Sequence, residues 1–153
     1  MGDGLPISLR ISQWKQQDYA ARLAEGPAEF AAMLEPLCEA GVDIIHCSQR
    51  RFSEPAFEGS DLNLAGWARR LTGRTAMTVG SVGLSGDFIT GLGGEASEPT
   101  SIDQLLKRLA RDEFDLVAVG RALLSDPQWL ENIAQRRGDR LQAFDISKLD
   151  QLH

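Results

Sequence analysis

The sequence contains few of the residues that build disulfide frameworks, metal centres or membrane spans. Two cysteines among 153 residues are too few for a disulfide framework. The chain has only two histidines, and no cluster of His, Cys and carboxylate residues has metal-ligand spacing. Cys38 and Cys47 lie in apolar runs, which predicts a reducing, cytoplasmic environment. The chain has no run of about 18 apolar residues and no signal-peptide pattern at its N-terminus, so we expect no membrane partner.

Positive charge is also scarce. Sixteen Lys and Arg residues stand against 22 Asp and Glu residues, for a net charge of -6, and pairs such as Arg50-Arg51 are most simply solvated surface. Nucleic-acid binders usually carry a basic stripe, so we expect no nucleic-acid partner. The hydrophobic fraction of 42% suits a chain that buries one core. We therefore expect a single domain over residues 1–153, with a polar tail over residues 138–153.

Apolar runs alternate with helical patterns along the chain, which predicts the order β-α-β-α-β-α-β-α. The four strand-like runs cover residues 7–11, 42–47, 75–79 and 114–119. Strands that alternate with helices usually pair in parallel through crossover connections. The sequence therefore predicts an α/β fold with a parallel sheet.

Capping residues mark the expected helix starts. Asp61 is a candidate N-cap, and Ser101 begins a candidate capping box. Asp126 before Pro127 is typical of the start of a last helix. The glycine-rich stretch over residues 84–100 predicts irregular structure.

A weak internal echo links two acidic residues. Asp43 and Asp115 stand 72 residues apart, at the same point of two helix-to-strand junctions. That distance equals two βα units, as in a barrel-like repeat. Because the amino ends of barrel strands are associated with stability, we expect a structural role for both acids.

Two turns after consecutive strands favour an anionic ligand. Gly80-Ser81-Val82-Gly83 follows the third strand, and glycine there lets backbone N–H groups approach a ligand without an obstructing Cβ. Gly120 and Arg121 follow the fourth strand, and the planar guanidinium of Arg121 suits phosphate. Consecutive turns of this kind match the phosphate site often found after strands 7 and 8 of a (β/α)₈ barrel. The alternative is that the glycines only serve tight turns, since the pattern is neither a Rossmann fingerprint nor a P-loop.

Arg10 is unusual because it lies within an apolar strand, where an unpaired charge is costly. The alternation of a strand puts Arg10 on the face opposite Leu9 and Ile11. There it either stabilises an anionic or electron-rich ligand or forms a structural ion pair. His46 and Cys47 are adjacent in a strand and should point to opposite faces, so we expect no nucleophilic dyad.

Four segments together carry a family resemblance. They are ISLRIS at 7–12, VDIIHCS at 42–48, TVGSVG at 78–83 and DLVAVGRALLSDP at 115–127. In this order they resemble the Old Yellow Enzyme family of FMN-dependent NAD(P)H:flavin oxidoreductases, which are (β/α)₈ TIM barrels. The last segment is the most specific. The resemblance implies that the four segments are barrel strands 5–8, so that the chain is the C-terminal half of a TIM barrel with four βα units.

The resemblance also implies a cofactor site. Arg10 would contact the pyrimidine edge of FMN near N1 and O2. The backbone of Gly80 and Ser81 and that of Gly120 and Arg121 would hold the FMN phosphate, and the Arg121 side chain would add charge pairing. In the full-length family enzyme NADH or NADPH is the reductant and an enone-type small molecule is the substrate. The resemblance assigns no catalytic residue to this chain.

The parts of the family barrel that have no counterpart here are strands 1–4, which carry the substrate-binding pair and the tyrosine proton donor. Tyr19 is the single tyrosine and lies in the loop after the first strand, so it does not match. A half-barrel exposes two strand edges and an apolar face, so we expect a homo-oligomer or a complex with a missing N-terminal half. Two alternatives to an oxidoreductase portion stay open, namely a non-catalytic flavin- or phosphate-binding module and a sugar-phosphate isomerase or lyase.

Overall fold

A four-stranded parallel sheet forms the centre of the structure, a computed structural model that describes residues 4–15, 18 and 20–150. The strands are β1 (Ser8–Ser12), β2 (Ile44–Ser48), β3 (Thr75–Val79) and β4 (Leu116–Val117), in the order β1-β2-β3-β4. All three neighbouring pairs are parallel, which confirms the predicted α/β fold with a parallel sheet. β4 is shorter than the predicted run because only Leu116 and Val117 pair with β3.

Helices connect the strands and follow the last of them. They are α1 (Pro27–Glu39), α2 (Leu64–Thr72), α3 (Phe88–Leu92), α4 (Asp103–Ala110), α5 (Arg121–Ser125) and α6 (Trp129–Ala134), with two 3-10 helices over Gly138–Arg140 and Ile146–Asp150. α3 lies inside the stretch over residues 84–100 that was expected to be irregular. It forms because Asp87 caps it, with Oδ1 accepting from the N–H groups of Ile89 and Thr90. Among the described residues, no helix has the length and apolar character that crossing a membrane requires.

The N-cap of α2 is Asn63 and not Asp61. The Asn63 side-chain oxygen accepts a hydrogen bond from the N–H of Gly66 at 2.8 Å. Asn63 is fully buried, and its amide nitrogen donates to the Phe52 carbonyl and to the Thr78 hydroxyl. The cap is therefore part of the core, where an amide satisfies more partners than the exposed carboxylate of Asp61 could.

Two other helix starts differ from the predictions. The predicted capping box is wrong, because Ile102 is the N-cap of α4 and makes no side-chain cap. The Ser101 hydroxyl instead accepts from the N–H of Asp103 at 3.0 Å, within a local turn. The last helix, α6, begins at Trp129 and not at Pro127.

The two faces of the sheet differ in burial. Ile45, Cys47 and Ala76 point to one face and are fully buried in the core that α1 and α2 share. The opposite face is partly exposed. The parallel register aligns four residues across it in what we call the open-face row, Arg10, His46, Met77 and Leu116.

Asp43 and Asp115 make the same pair of contacts at the amino edge of the sheet. Asp43 Oδ2 accepts from the N–H of Ile7 at 2.9 Å, and Asp115 Oδ2 accepts from the N–H of Ala76 at 2.9 Å. The N–H of each acid also donates to the carbonyl of the same partner, at 3.0 Å and 2.9 Å respectively. Each acid therefore fastens the start of one strand to its neighbour, in agreement with the structural role expected from the echo.

The C-terminal segment is anchored to the loop that follows β3. The N–H of Phe144 donates to the Ser97 carbonyl, and the N–H of Ser97 donates to the Phe144 carbonyl, both at 2.9 Å. Phe144 is 1% exposed. The segment predicted as a polar tail thus contributes a core residue, while residues 151–153 lie outside the described part of the chain.

Candidate functional site

A cavity of about 410 Å³ lies at the carboxyl ends of the four strands. Ligands bind at this edge in parallel α/β folds. All five residues predicted for a cofactor site line it, namely Arg10, Gly80, Ser81, Gly120 and Arg121. Lys15 and Arg50 also line it, and its described lining residues include no carboxylate. In a chain with a net charge of -6, this local excess of positive charge favours an anionic ligand.

Arg10 points from β1 into the cavity. Its Nη2 donates to the hydroxyl of Ser48 on β2 at 3.1 Å. The salt bridges formed by the described residues do not include Arg10. The geometry therefore disfavours the structural ion pair that the sequence left open and leaves the charge of Arg10 facing the cavity.

Gly80 is needed for a reason that the sequence did not reveal. Its φ is +152°, and a Cβ there would lie 2.5 Å from the Gln49 carbonyl oxygen and 3.0 Å from the Phe52 nitrogen. The N–H of Phe52 donates to the Gly80 carbonyl at 3.0 Å. Glycine at this position lets the loop after β2 pack directly on the end of β3, whether or not a ligand also approaches.

Ser81 adopts the left-handed conformation, with φ +49°, which is uncommon for a residue other than glycine. Its hydroxyl lies 3.1 Å from the Arg50 carbonyl oxygen and 3.0 Å from that of Gly86. Nη2 of Arg121 donates to the same hydroxyl at 3.4 Å. Local strain of this kind costs on the order of 1 kcal/mol and tends to occur at ligand sites.

Arg121 is half-buried at the start of α5 and is held by backbone carbonyls. Nη1 donates to the Asp87 carbonyl at 2.9 Å, and Nη2 donates to the Gly86 carbonyl at 2.8 Å. The Phe144 ring centroid lies 5.4 Å from the guanidinium carbon. Burial lowers the pKa of Arg121; the Asp87 carboxylate opposes this shift and the charge of Arg51 adds to it.

Arg50, which the sequence predicted to be solvated surface, forms an ion pair with Asp87. Nε and Nη2 of Arg50 lie 2.7 Å and 2.5 Å from Asp87 Oδ2. The Asp87 side chain is 1% exposed. Burial would raise the pKa of Asp87, but the N–H of Thr90 and the guanidinium of Arg50 outweigh it and lower that pKa. The available sequence signal was Asp87 itself, because an acid after glycine is a typical helix N-cap.

His46 and Cys47 point to opposite faces of β2, as predicted. His46 lies beside Arg10 in the open-face row, and burial together with the Arg10 charge lowers the pKa of the imidazole. His46 Nε2 is buried and has no hydrogen-bond partner among the described residues. Cys47 is fully buried, and burial raises the pKa of its thiol far above the usual range, so the thiol is a poor nucleophile.

Within the described residues, no three His, Cys, Asp or Glu side chains come together as metal ligands would. The charged and hydroxyl side chains at the cavity are cations and serines, and apolar side chains such as Trp14, Phe88 and Leu124 line the rest. This arrangement can bind and orient an anion, but it contains no pairing of a nucleophile with a base.

Comparison with known proteins finds similarity both in sequence and in structure. No family model matches the sequence. The sequence is 29% identical over 150 residues to an NADH oxidase of Thermoanaerobacter brockii, in an alignment that covers 93% of this chain and 20% of that protein. The structure of morphinone reductase in complex with tetrahydroNAD is similar with a TM-score of 0.59 and 16% identity, covering 92% of this chain and 31% of that one.

The chain thus spans about a fifth of the length of the NADH oxidase and about a third of that of the morphinone reductase. The structural likeness shows that the four-stranded α/β fold is similar to part of a TIM-barrel enzyme. The sequence likeness to the NADH oxidase agrees with the resemblance to the Old Yellow Enzyme family of oxidoreductases.

Proposed function

We propose that the chain is the FMN-binding C-terminal half of an NAD(P)H oxidoreductase barrel of the ene-reductase type, in which β1–β4 are barrel strands 5–8. One observation carries the proposal. The five residues selected from the sequence for FMN come from the ends of three strands, and all five line one cavity at the carboxyl edge of the sheet. The likeness to an NADH oxidase and to a morphinone reductase supports the same assignment.

The cavity suits an elongated ligand with two different ends. Arg10 is on β1 and Arg121 follows β4, and three strand spacings of about 4.8 Å separate the two ends by roughly 14 Å. A cation stands at each end, and Ser48 and Gly80 lie on the strands between them. FMN has an electron-rich ring at one end and a phosphate at the other, so its charge distribution fits this donor set.

Each of the five residues then has a definite role. Arg10, whose guanidinium is oriented by Ser48, would face the pyrimidine edge of the flavin and stabilise negative charge there. Gly80, Ser81 and Gly120 would present backbone groups to the phosphate, and Arg121 would add a guanidinium. The proposal keeps the phosphate at the β3–β4 end, where Ser81 and Arg121 already contact each other.

FMN, when bound, would supply hydride transfer between NADH or NADPH and an enone-type substrate. The residues of this chain bind and orient, and we propose no catalytic residue among them. The open-face row contains one imidazole and one guanidinium but no hydroxyl group that could donate a proton. Tyr19, the single tyrosine, lies outside the described residues.

A second candidate is a non-catalytic flavin- or phosphate-binding module that a second copy or a missing N-terminal half completes. The exposed side of the sheet favours it. Leu116 in the open-face row is 40% exposed, and β1 and β4 each have one edge without a neighbouring strand among the described residues. Strand edges and apolar faces of this kind promote association, so we propose a homo-oligomer or a two-part barrel.

Titration of the purified chain with FMN, followed by quenching of flavin fluorescence, tests the proposal directly. We expect saturable binding, and little or no oxidation of NADH or NADPH when 2-cyclohexen-1-one is added. Failure to bind FMN, both alone and mixed with a barrel half that supplies strands 1–4, would contradict the cofactor assignment. Rapid enone-dependent turnover by the chain alone would contradict the absence of a catalytic residue. Light scattering of the same sample tests association, which a monodisperse monomer would contradict.

A further inference from the structure

The groups that directly hold Arg121 are uncharged, while the Asp87 carboxylate and the Arg51 guanidinium act on its charge without forming an ion pair or a direct contact with it. The two terminal nitrogens of Arg121 donate to the carbonyls of Gly86 and Asp87 at 2.8 Å and 2.9 Å, and the ring of Phe144 lies beside the guanidinium. Arg121 takes part in none of the salt bridges that the described residues form. Its position is therefore fixed by groups that do not cancel its charge.

Phe144 is placed by the same loop that holds Arg121. Phe144 and Ser97 exchange two backbone hydrogen bonds, and the Ser97 hydroxyl accepts from the N–H of Gly86 at 2.7 Å. Gly86 in turn presents its carbonyl to Arg121. The ring and one of the two carbonyls thus belong to one hydrogen-bonded unit, so a movement of either would displace the guanidinium.

A glycine of α3 also lies close to this guanidinium. Gly91 faces the same guanidinium, and a Cβ on it would lie 3.0 Å from Arg121 Nη1 and 3.5 Å from the Phe144 ring. The guanidinium is therefore enclosed by the Gly91 backbone, the Phe144 ring and the two carbonyls. Immobilising an arginine side chain costs rotamer entropy, and contacts that hold it before binding remove that cost from the binding step.

We infer that Phe144, in the segment that the sequence reading treated as a tail, is a positioning residue for phosphate recognition by Arg121. The inference rests on the proposed function, since it assigns the phosphate of FMN to Arg121. Phe144 does not line the cavity and acts only through the guanidinium, beside which its ring lies without neutralising the charge. A leucine in its place would fill part of the space but would offer no π face to the cation.

Comparison of FMN with riboflavin isolates the phosphate contribution. The two ligands share the ring and differ in the phosphate, so the ratio of their affinities reports phosphate recognition and not folding. We expect Phe144→Leu to lower the FMN-to-riboflavin affinity ratio by a factor of about 3 to 10, the range that loss of one cation–π support gives. Riboflavin affinity should stay the same. An unchanged ratio in Phe144→Leu would overturn the inference.

Phe30→Leu is the matched control, because Phe30 is equally buried but lies on α1, away from the cavity. It should lower the midpoint of thermal unfolding and leave the affinity ratio unchanged. If it lowers the ratio as much as Phe144→Leu does, the effect belongs to general packing and the inference is wrong.

A second measurement needs no flavin. In a double-mutant cycle of Phe144→Leu and Arg121→Met, the double variant should lose less in its unfolding midpoint than the two single variants together. Additive losses would overturn the inference. If the unmodified chain binds FMN no better than riboflavin, the proposed function fails, and the cycle still decides whether Phe144 supports Arg121.

Discussion

Arg108 is buried and Arg121 is half-buried, and each donates to two backbone carbonyls, but the groups that face their charges differ. Arg108 on α4 donates to the carbonyls of Asp61 and Ser53 at 3.0 Å and 2.9 Å and pairs with the buried Glu113 carboxylate at 2.6 Å. Arg121 also donates to two carbonyls, but it has an aromatic ring where Arg108 has a carboxylate. We call the first arrangement closed, because a carboxylate pairs with the arginine, and its contacts hold two loops together. We call the second open, because no ion pair among the described residues neutralises the positive charge, which an anion site requires.

The largest expected effect concerns the closed arrangement. Glu113→Gln should reduce the free energy of unfolding by about 3–5 kcal/mol, because it leaves the buried charge of Arg108 without compensation and also removes the ion pair of Glu113 with Arg111. Urea unfolding measures this loss. The control is Glu131→Gln, whose carboxylate is exposed and 3.3 Å from Arg137, and which should change stability by less than about 1 kcal/mol.

If Glu113→Gln reduces the free energy of unfolding by less than about 1 kcal/mol, the contrast between the two arginines is wrong, because Arg108 would then be stable without a paired carboxylate, as Arg121 is. The FMN-to-riboflavin affinity ratio of the folded variant should equal that of the unmodified chain. A change in that ratio would mean that the two arginines are not separate in function.

The next effect concerns the open arrangement. Arg121→Ala should lower FMN affinity about 10- to 100-fold and leave riboflavin affinity unchanged, because a charge-assisted hydrogen bond to phosphate contributes about 1.5–3 kcal/mol. Fluorescence titration at fixed salt measures both affinities. Arg140→Ala, at an exposed arginine outside the cavity, is the control and should leave both unchanged. Equal loss for the two flavins would remove Arg121 from the phosphate end.

A smaller effect on stability distinguishes the roles of the two carboxylate oxygens of Asp87, one of which caps α3 while the other pairs with Arg50. Asp87→Asn keeps the oxygen that caps Ile89 and Thr90 and loses the charge that pairs with Arg50, whereas Asp87→Ala loses both. Chemical denaturation at neutral pH should therefore show Asp87→Ala to be less stable than Asp87→Asn by about 1 kcal/mol. Equal stabilities would show that the cap contributes nothing.

The pH dependence of stability checks the same residue. Because the pKa of Asp87 is lowered in the folded chain, its contribution is fully present above the ordinary Asp value near 3.9 and is lost as the pH falls through the lowered value. Asp87→Asn should lack this part of the acid-induced loss. Identical acid profiles for the two proteins would contradict the assignment.

The smallest expected effect tests whether the charge of Arg10, at the β1 end of the cavity, is also free of a paired carboxylate. Arg10→Gln should raise the pKa of His46 toward its ordinary value, because the Arg10 charge is removed while burial remains. Titration of the imidazole by NMR measures the shift. Lys15→Gln, which removes a charge from the same cavity but not one that acts on His46, should leave the pKa of His46 as it is.

The sheet could be predicted from the sequence because its signals are local. The alternation around Arg10 and the run over residues 75–79 depend only on adjacent side chains, and β3 covers Thr75–Val79 as expected. Glycines and one arginine after two strand ends were enough to indicate a site, since the carboxyl ends of parallel strands meet at one edge. These are properties of short segments, and the tertiary structure did not change them.

The supports of the site could not be predicted because they join distant segments. The N-cap of α2 is Asn63 and not the predicted Asp61, because the Asn63 amide also donates hydrogen bonds to the Phe52 carbonyl and the Thr78 hydroxyl. Likewise, position 80 requires glycine because the loop after β2 packs against it, and a Cβ there would lie 2.5 Å from the Gln49 carbonyl oxygen. The support of Arg121 by Phe144 joins residues in two different structural elements, and no pattern in either segment marks it.

The buried thiol of Cys47 provides a reporter of how the sheet opens. Its sulfur is fully covered on the core face of β2, and the raised pKa keeps it protonated, so an alkylating reagent has neither access nor a thiolate. Cys38 on α1 is partly exposed and would react first, as an internal standard for the reagent. The rate at which Cys47 becomes labelled would then report how readily β2 separates from the core. Ligand that slows this labelling would be acting on the whole sheet and not only on the loops it touches.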